Sequence, residues 1–304
     1  MTTPSNVGYD KKLCILPFDH RSYFTNLLGF DETLTDEQKK ELSSYKKLIY
    51  DGYEKSLSMG VDKNISAILV DDVFGYDILI DAKAKGYTTL QSTEVSGIDH
   101  LEFEHGDEWQ SWIEKAQPTF TKALVRYNVD GDTDLNQKTL ENLKKLSDYS
   151  HAHGYKFLIE PLVPATSVQL EQLGNDKSRY DHELRPDLTV QMIIEMQNAG
   201  IEPDVWKIEG MYTEADYQKC VTVAQQNGRN NVGIVSLGRN ETDEVVELWL
   251  RTGAKVSGVI GFAVGRTIFL NALMKYREGS YTSDQASTEI AERFMHFYTV
   301  FNGK

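Results

Sequence analysis

The chain has 304 residues, 40% of them hydrophobic, and a formal net charge of −14, which suits one large domain or two small ones with a sizeable core. That charge excludes nucleic acid and anionic membrane surfaces as partners, because both are gripped by clustered Lys and Arg; a small anion held by a few local cations and backbone amides is still allowed. No apolar run reaches the roughly eighteen residues of a bilayer span, and the polar start lacks a secretory pattern, so a cytoplasmic protein is expected.

Apolar runs alternate with helical stripes along the chain. Leu13 to Phe18 is predicted as a first buried strand, Asp36 to Met59 as a long helix, and Ser66 to Val70 as a second strand. Phe74 to Lys85 is helical and ends at Gly86, and Tyr87 to Ser92 is a third strand. Glu94 to Asp107 is acidic and irregular, Trp109 to Ala116 a short helix, and Lys122 to Val129 a fourth strand. A helix over Leu135 to His153 precedes a fifth strand, Lys156 to Ile159, closed by Glu160-Pro161. Pro186 to Ala199 is helical, with proline at the first turn where it is tolerated. Pro203 to Gly210 holds the sixth strand, Glu214 to Asn227 a helix, Val232 to Ser236 the seventh strand, Asp243 to Thr252 a helix and Val256 to Ala263 the eighth strand. Two helices finish the chain.

Eight strands that are apolar on both faces, each followed by a helix, predict a parallel (β/α)8 TIM barrel with a C-terminal helical extension in preference to a doubly wound open sheet. No linker composition interrupts the pattern over 1–304, so no domain boundary is expected. Cys14 and Cys220 lie far apart in apolar surroundings and are read as reduced core thiols. Neither a disulfide nor a metal site is expected.

Catalytic groups of such a barrel sit at the carboxyl ends of its strands. The sixth strand, Val-Trp-Lys-Ile-Glu, places Lys207 in an apolar run, where a buried and unpartnered amine would lose its proton and attack a carbonyl. By itself the octapeptide also reads as an exposed lysine paired with Glu209. Polar residues recurring at the other strand ends turn the reading toward a pocket. Asp19 is a proton acceptor or hydroxyl ligand, and Arg21 a clamp for an anionic end of the substrate, unless the two simply form a rim ion pair. His20 alternates away and is read as structural.

Lys122 and Arg126 share a strand face and need an anion; Lys122 beside Lys207 would also depress the pKa of that lysine by like-charge repulsion. The alternative is a solvated strand end at Lys122. Glu160 is read as a deep carboxylate with a raised pKa that shuttles a proton, or as a partner that only holds a lysine. Asp71 is a substrate-binding candidate at the second strand end, and one metal could engage only one of Asp71 and Asp72. The loops Ser236-Leu237-Gly238-Arg239 and Gly261 to Arg266 follow strands seven and eight, where small residues and a helix N-terminus form a phosphate site. The histidines show no ligand spacing.

The ordered motifs Leu-Pro-Phe-Asp-His-Arg, Ile-Leu-Val-Asp, Lys-Ala-Leu-Val, Ile-Glu-Pro, Val-Trp-Lys-Ile-Glu, Ser-Leu-Gly and Gly-Phe-Ala-Val-Gly-Arg, spanning about Leu13 to Phe269, resemble class I aldolases of the tagatose-bisphosphate and sulfofructose-phosphate type. The resemblance is closer still to the aldolase-like domain of inositol-catabolism proteins associated with 2-deoxy-5-keto-gluconate 6-phosphate. It implies a Schiff base at Lys207, proton-transfer or positioning roles for Asp19, Lys122 and Glu160, and phosphate contacts from Ser236, Gly238, Gly265 and Arg266. The chain departs from these relatives in having His20 where they carry glutamine, and a basic residue, Arg239, where they carry a non-basic one. The expected protein is therefore a cofactor-free homo-oligomeric aldolase acting on a small phosphorylated substrate. A metal-dependent lyase or epimerase using Asp71, Glu160 and a histidine, and a silent sugar-phosphate sensor, are the competing readings.

Overall fold

The computed structural model describes residues 7–31 and 33–303. Its strands are β1 (Leu13–Pro17), β2 (Ser66–Asp71), β3 (Thr88–Ser92), β4 (Phe120–Arg126), β5 (Lys156–Leu162), β6 (Val205–Glu209), β7 (Gly233–Leu237) and β8 (Val259–Ala263). They are parallel and close in sequence order, with β8 returning to β1. Helices alternate with them, and Arg266–Arg277 and Ser283–Asn302 follow β8. The chain is a (β/α)8 TIM barrel with a C-terminal helical extension.

Alternation decides what fills it. Leu13, Ile15, Leu69, Phe120, Leu158 and Val205 belong to an inner apolar cluster, each two positions from the next inward residue of its strand. Neighbours such as Cys14, Phe157, Trp206 and Ile234 pack outward beneath the helices. This two-sided burial is why the strands read as continuous apolar runs.

The differences from the predicted elements are local. β4 begins at Phe120, so Lys122 lies inside the strand and is buried. β5 continues through Pro161 to Leu162. The proline is accommodated because β6 pairs with β5 only at Leu158 and Ile159, leaving no partner there for a missing N–H. Three helical stretches carried no periodic signal: Ser22–Leu28, Ser167–Gln172, and a turn Lys177–Arg179 running through a π segment, Tyr180–Leu184, into the helix Arg185–Asn198. Cys14 and Cys220 are buried free thiols, and burial pushes both up to about 12.

At the amino-terminal end of the barrel, Tyr9 packs edge-on against Phe120 at 5.1 Å. Asp204, fully buried just before β6, accepts hydrogen bonds from Gly8 N (2.8 Å), Phe157 N (2.7 Å) and Lys156 Nζ (2.9 Å), and its other contact is His151 Nε2 at 3.2 Å. Burial opposes its ionisation, but these donors prevail and hold its carboxyl below the usual range. A depressed carboxylate stabilises the fold above its unfolded pKa, and that contribution is lost as pH falls through the folded value. Asp204→Asn is therefore expected to lose about 2 kcal/mol in urea unfolding near pH 7, with the gap from wild type shrinking near pH 3. An equal gap at both pH values would refute this account of Asp204.

Candidate active site

Above the apolar layer the inward positions become charged. The next inward residue is Lys122 after Phe120, Glu160 after Leu158 and Lys207 after Val205, while Asp19 and Glu94 lie just beyond the ends of β1 and β3. Together they floor a cavity of about 320 Å3 at the carboxyl ends of the strands. That volume suits a small ligand.

Lys122, 1% exposed, is the hub. Its Nζ lies 2.8 Å from Asp19 Oδ2, 2.7 Å from Glu94 Oε1 and 3.0 Å from Glu160 Oε2, and Glu160 Oε1 in turn lies 2.6 Å from Lys207 Nζ. Burial disfavours the Lys122 ammonium, yet Asp19, Glu160 and Glu94 outweigh it and raise its pKa. Burial likewise opposes ionisation of Asp19, and Lys122 with its cationic neighbours holds that carboxyl well below the usual range. Glu160 follows the same logic: the Lys122 and Lys207 ammoniums overcome burial and lower it. Glu94 goes the other way, because burial dominates over Lys122 and Arg21. Burial also drives His20 down to about 3, leaving a neutral imidazole whose Nδ1 has no hydrogen-bond partner.

Two expectations change here. Lys207 is buried but not unpartnered, since Glu160 bonds it. Glu160 sits between two cations, which favour its charged form rather than raising its pKa. The exposed pairing of Lys207 with Glu209 does not occur; Glu209 binds Val163 N (2.9 Å) and Arg239 (3.2 Å).

Arg21 and Arg126 line the cavity, but both hold the loop after β3. Arg21 donates to the Glu94 carbonyl (2.5 Å) and to Glu104 (3.0 Å), and Arg126 donates to the Ile98 carbonyl (3.0 Å). Arg21 thus has acidic partners already, which corrects its reading as a clamp free for substrate. Arg239, with Asn240, adopts a left-handed backbone (φ 51° and 64°) at the end of β7, where its guanidinium is tied to Asp181 at 2.8 Å and to Glu209. Arg266 differs from these cations. Among the described residues it has no carboxylate partner, and its guanidinium lies 4.8 Å over the Tyr23 ring. It opens the helix Arg266–Arg277, so the helix N-terminus and an unpaired cation face the same cavity wall. Gly265 must be glycine, because a Cβ there would lie 2.4 Å from the Pro17 carbonyl of β1.

Asp19, Arg21, Lys122, Arg126, Glu160, Lys207, Gly238, Gly265 and Arg266 therefore converge on one cavity. Asp71 and Ser236 do not. Asp71 caps the helix Asp72–Ala84 through Phe74 N (2.8 Å) and pairs with Lys46 at 2.5 Å. Ser236 occupies the outward parity of β7 and bonds Tyr217 Oη at 2.7 Å. A metal held by Asp71, Glu160 and a histidine would need Asp71 in the cavity, and its carboxylate is engaged elsewhere. Glu94 was missed within an acidic, irregular stretch. Its signal was parity, since Leu90, Ser92 and Glu94 share a face.

Residues 2–304 match the family described as "Uncharacterized protein conserved in bacteria (DUF2090)". The chain belongs to this family. No curated protein matches this DUF2090 member. Among solved structures it is similar to an archaeal fructose-1,6-bisphosphate aldolase with its catalytic lysine covalently bound to the carbinolamine intermediate of the substrate: 12% identity, 95% of this chain and 94% of that chain covered, TM-score 0.56. A fructose-bisphosphate aldolase from Slackia heliotrinireducens matches at 14% identity over 96% of this chain and 86% of that one, TM-score 0.55. The YdjI aldolase from Escherichia coli K12 matches at 12% over 96% and 92%, TM-score 0.52. At such identities the likeness speaks for the barrel fold alone.

Proposed function

We propose that this protein is a Schiff-base aldolase that cleaves a phosphorylated keto sugar or keto acid into dihydroxyacetone phosphate and an aldehyde. The observation that carries the reading is the Glu160 carboxylate bridging two buried ammoniums, 2.6 Å from Lys207 and 3.0 Å from Lys122, at the base of a cavity whose wall holds Arg266 without a carboxylate partner among the described residues. Glu160 is placed to take the proton that Lys207 must lose before its nitrogen can add to a ketone. Loss of water from that adduct leaves an iminium. Glu160 or Asp19 then removes the proton from the hydroxyl on the far carbon of the bond to be broken, that carbon becomes the aldehyde as the carbon–carbon bond cleaves, and the electrons of the bond pass into the iminium to give an enamine. Lys122 stabilises the carboxylates through the transfer. The enamine is reprotonated on carbon and hydrolysed, freeing dihydroxyacetone phosphate and the Lys207 amine.

Arg266, the Gly238 and Gly265 loops and the helix N-terminus are the phosphate grip in this reading. Within the substrate class, the motif resemblance favours 2-deoxy-5-keto-gluconate 6-phosphate, with malonate semialdehyde as second product. Arg126, which lines the same cavity from β4, is then assigned to the acid's carboxylate. Tagatose-bisphosphate and sulfofructose-phosphate are the other members to screen. Treating the protein with dihydroxyacetone phosphate and borohydride is expected to leave a reduced adduct on the Lys207 peptide by mass spectrometry. An unmodified Lys207 peptide would overturn the proposal.

A further inference from the structure

Lys46 lies outside the cavity, on the helix Asp36–Ser58, yet it is 1% exposed and its ammonium is spent on the end of β1. Nζ donates to the Phe18 carbonyl at 2.6 Å and the His20 carbonyl at 3.0 Å, and lies 2.5 Å from Asp71 Oδ2. The Phe24 ring covers it at 5.3 Å. Asp71 is itself fixed, because its other oxygen accepts from Phe74 N at 2.8 Å. The two carbonyls that Lys46 grips belong to the residues on either side of Asp19. One carbonyl lies in the peptide unit that enters Asp19 and the other in the unit that leaves His20, so Lys46 pins the short stretch on both sides of Asp19 and limits the directions in which its carboxylate can reach Lys122, 2.8 Å away.

We infer that the Lys46–Asp71 pair is a positioning device that sets Asp19 within the proton-transfer cluster, an inference that rests on the aldolase reading. It gives a role to a buried charge pair that fold stability alone does not call for, since such a pair is often replaceable by apolar groups without loss. It also explains why an aspartate at the end of β2 points away from the cavity: it steadies β1 from behind.

The test separates imine formation, which belongs to Lys207, from proton transfer at the enamine carbon, which this inference assigns to Asp19 held in place. Dihydroxyacetone phosphate serves as the probe for both, through borohydride trapping on Lys207 and through exchange of its carbon-bound proton with deuterated water, which runs by way of the enamine. In Lys46→Met, trapping is expected to stay within about threefold of wild type while exchange falls about 10- to 100-fold, the usual consequence of a group displaced by roughly an ångström. Lys46→Met leaves Asp71 without its cation; if that variant does not fold, the neutral pair Lys46→Met with Asp71→Asn replaces it and is expected to show the same split. Exchange unchanged from wild type in a folded variant overturns the inference. So does a parallel fall of trapping and exchange, which would mark a merely structural role. If wild type itself forms no adduct, the aldolase reading fails and takes this inference with it.

Discussion

Lys207→Ala is expected to lose the borohydride adduct and to lower substrate cleavage by at least about 10^4-fold while the protein remains folded. No neighbouring amine can take over. Lys122, the other buried lysine of the cavity, is held by Asp19, Glu94 and Glu160 within 3.0 Å, and those carboxylates raise its pKa. Its nitrogen therefore stays protonated and cannot add to a carbonyl. Stability should change little, because Glu160 keeps its contact with Lys122 when Lys207 is removed. Steady-state cleavage measured beside thermal unfolding checks both halves. Cleavage retained at more than a hundredth of wild type, in roughly the sense of a residual binding contribution, would show that the amine is not the nucleophile.

Lys122→Met should be the most destabilising single change at this end of the barrel. It leaves Asp19, Glu94 and Glu160 buried around a methyl group, and removing one partner of a buried pair typically costs about 3–5 kcal/mol. The pH dependence has a definite sign. In wild type, Lys122 is the largest attraction holding Asp19 and Glu160 below their ordinary values, so these two stabilise the fold above the unfolded carboxylate range and lose that contribution as pH falls through their folded values. Without Lys122 their carboxyls rise and take up protons in the folded state. The destabilisation should therefore be largest near neutral pH and shrink as the pH approaches about 4. Urea unfolding of both proteins across that range decides it. A gap that widens on acidification would mean that the three carboxylates are not stabilised by this ammonium.

The expected size of both effects comes from depth. The same lysines on the outer face of the barrel would meet water, where an ion pair contributes little. Here they lie two residues above Phe120 and Val205 of the inner apolar cluster, so each charge depends on the others for its partners.

Much of this was legible in the chain itself. Alternation of apolar runs with helical stripes pointed to a parallel sheet covered by helices on both faces, and eight strand–helix repeats favoured a closed barrel over an open doubly wound sheet. Polar residues recurring at the strand ends pointed Lys122, Glu160 and Lys207 toward one pocket, and the glycine-arginine loops after β7 and β8 marked the wall that holds Arg266. What only the tertiary structure decided was which charge meets which. Lys207 looked like a lone amine, but the closure of β4, β5 and β6 side by side brings Glu160 between it and Lys122. Arg21 looked like a substrate clamp until the loop after β3 folded back to supply Glu94 and Glu104. Asp71 and Ser236 stood at the right strand ends, yet one is drawn aside by Lys46 and the other faces outward to Tyr217. Periodicity within a strand is a local property and survives in one dimension. Pairings between charges set by residues up to about a hundred positions apart depend on the register and tilt of a closed sheet, which no single stretch of sequence carries.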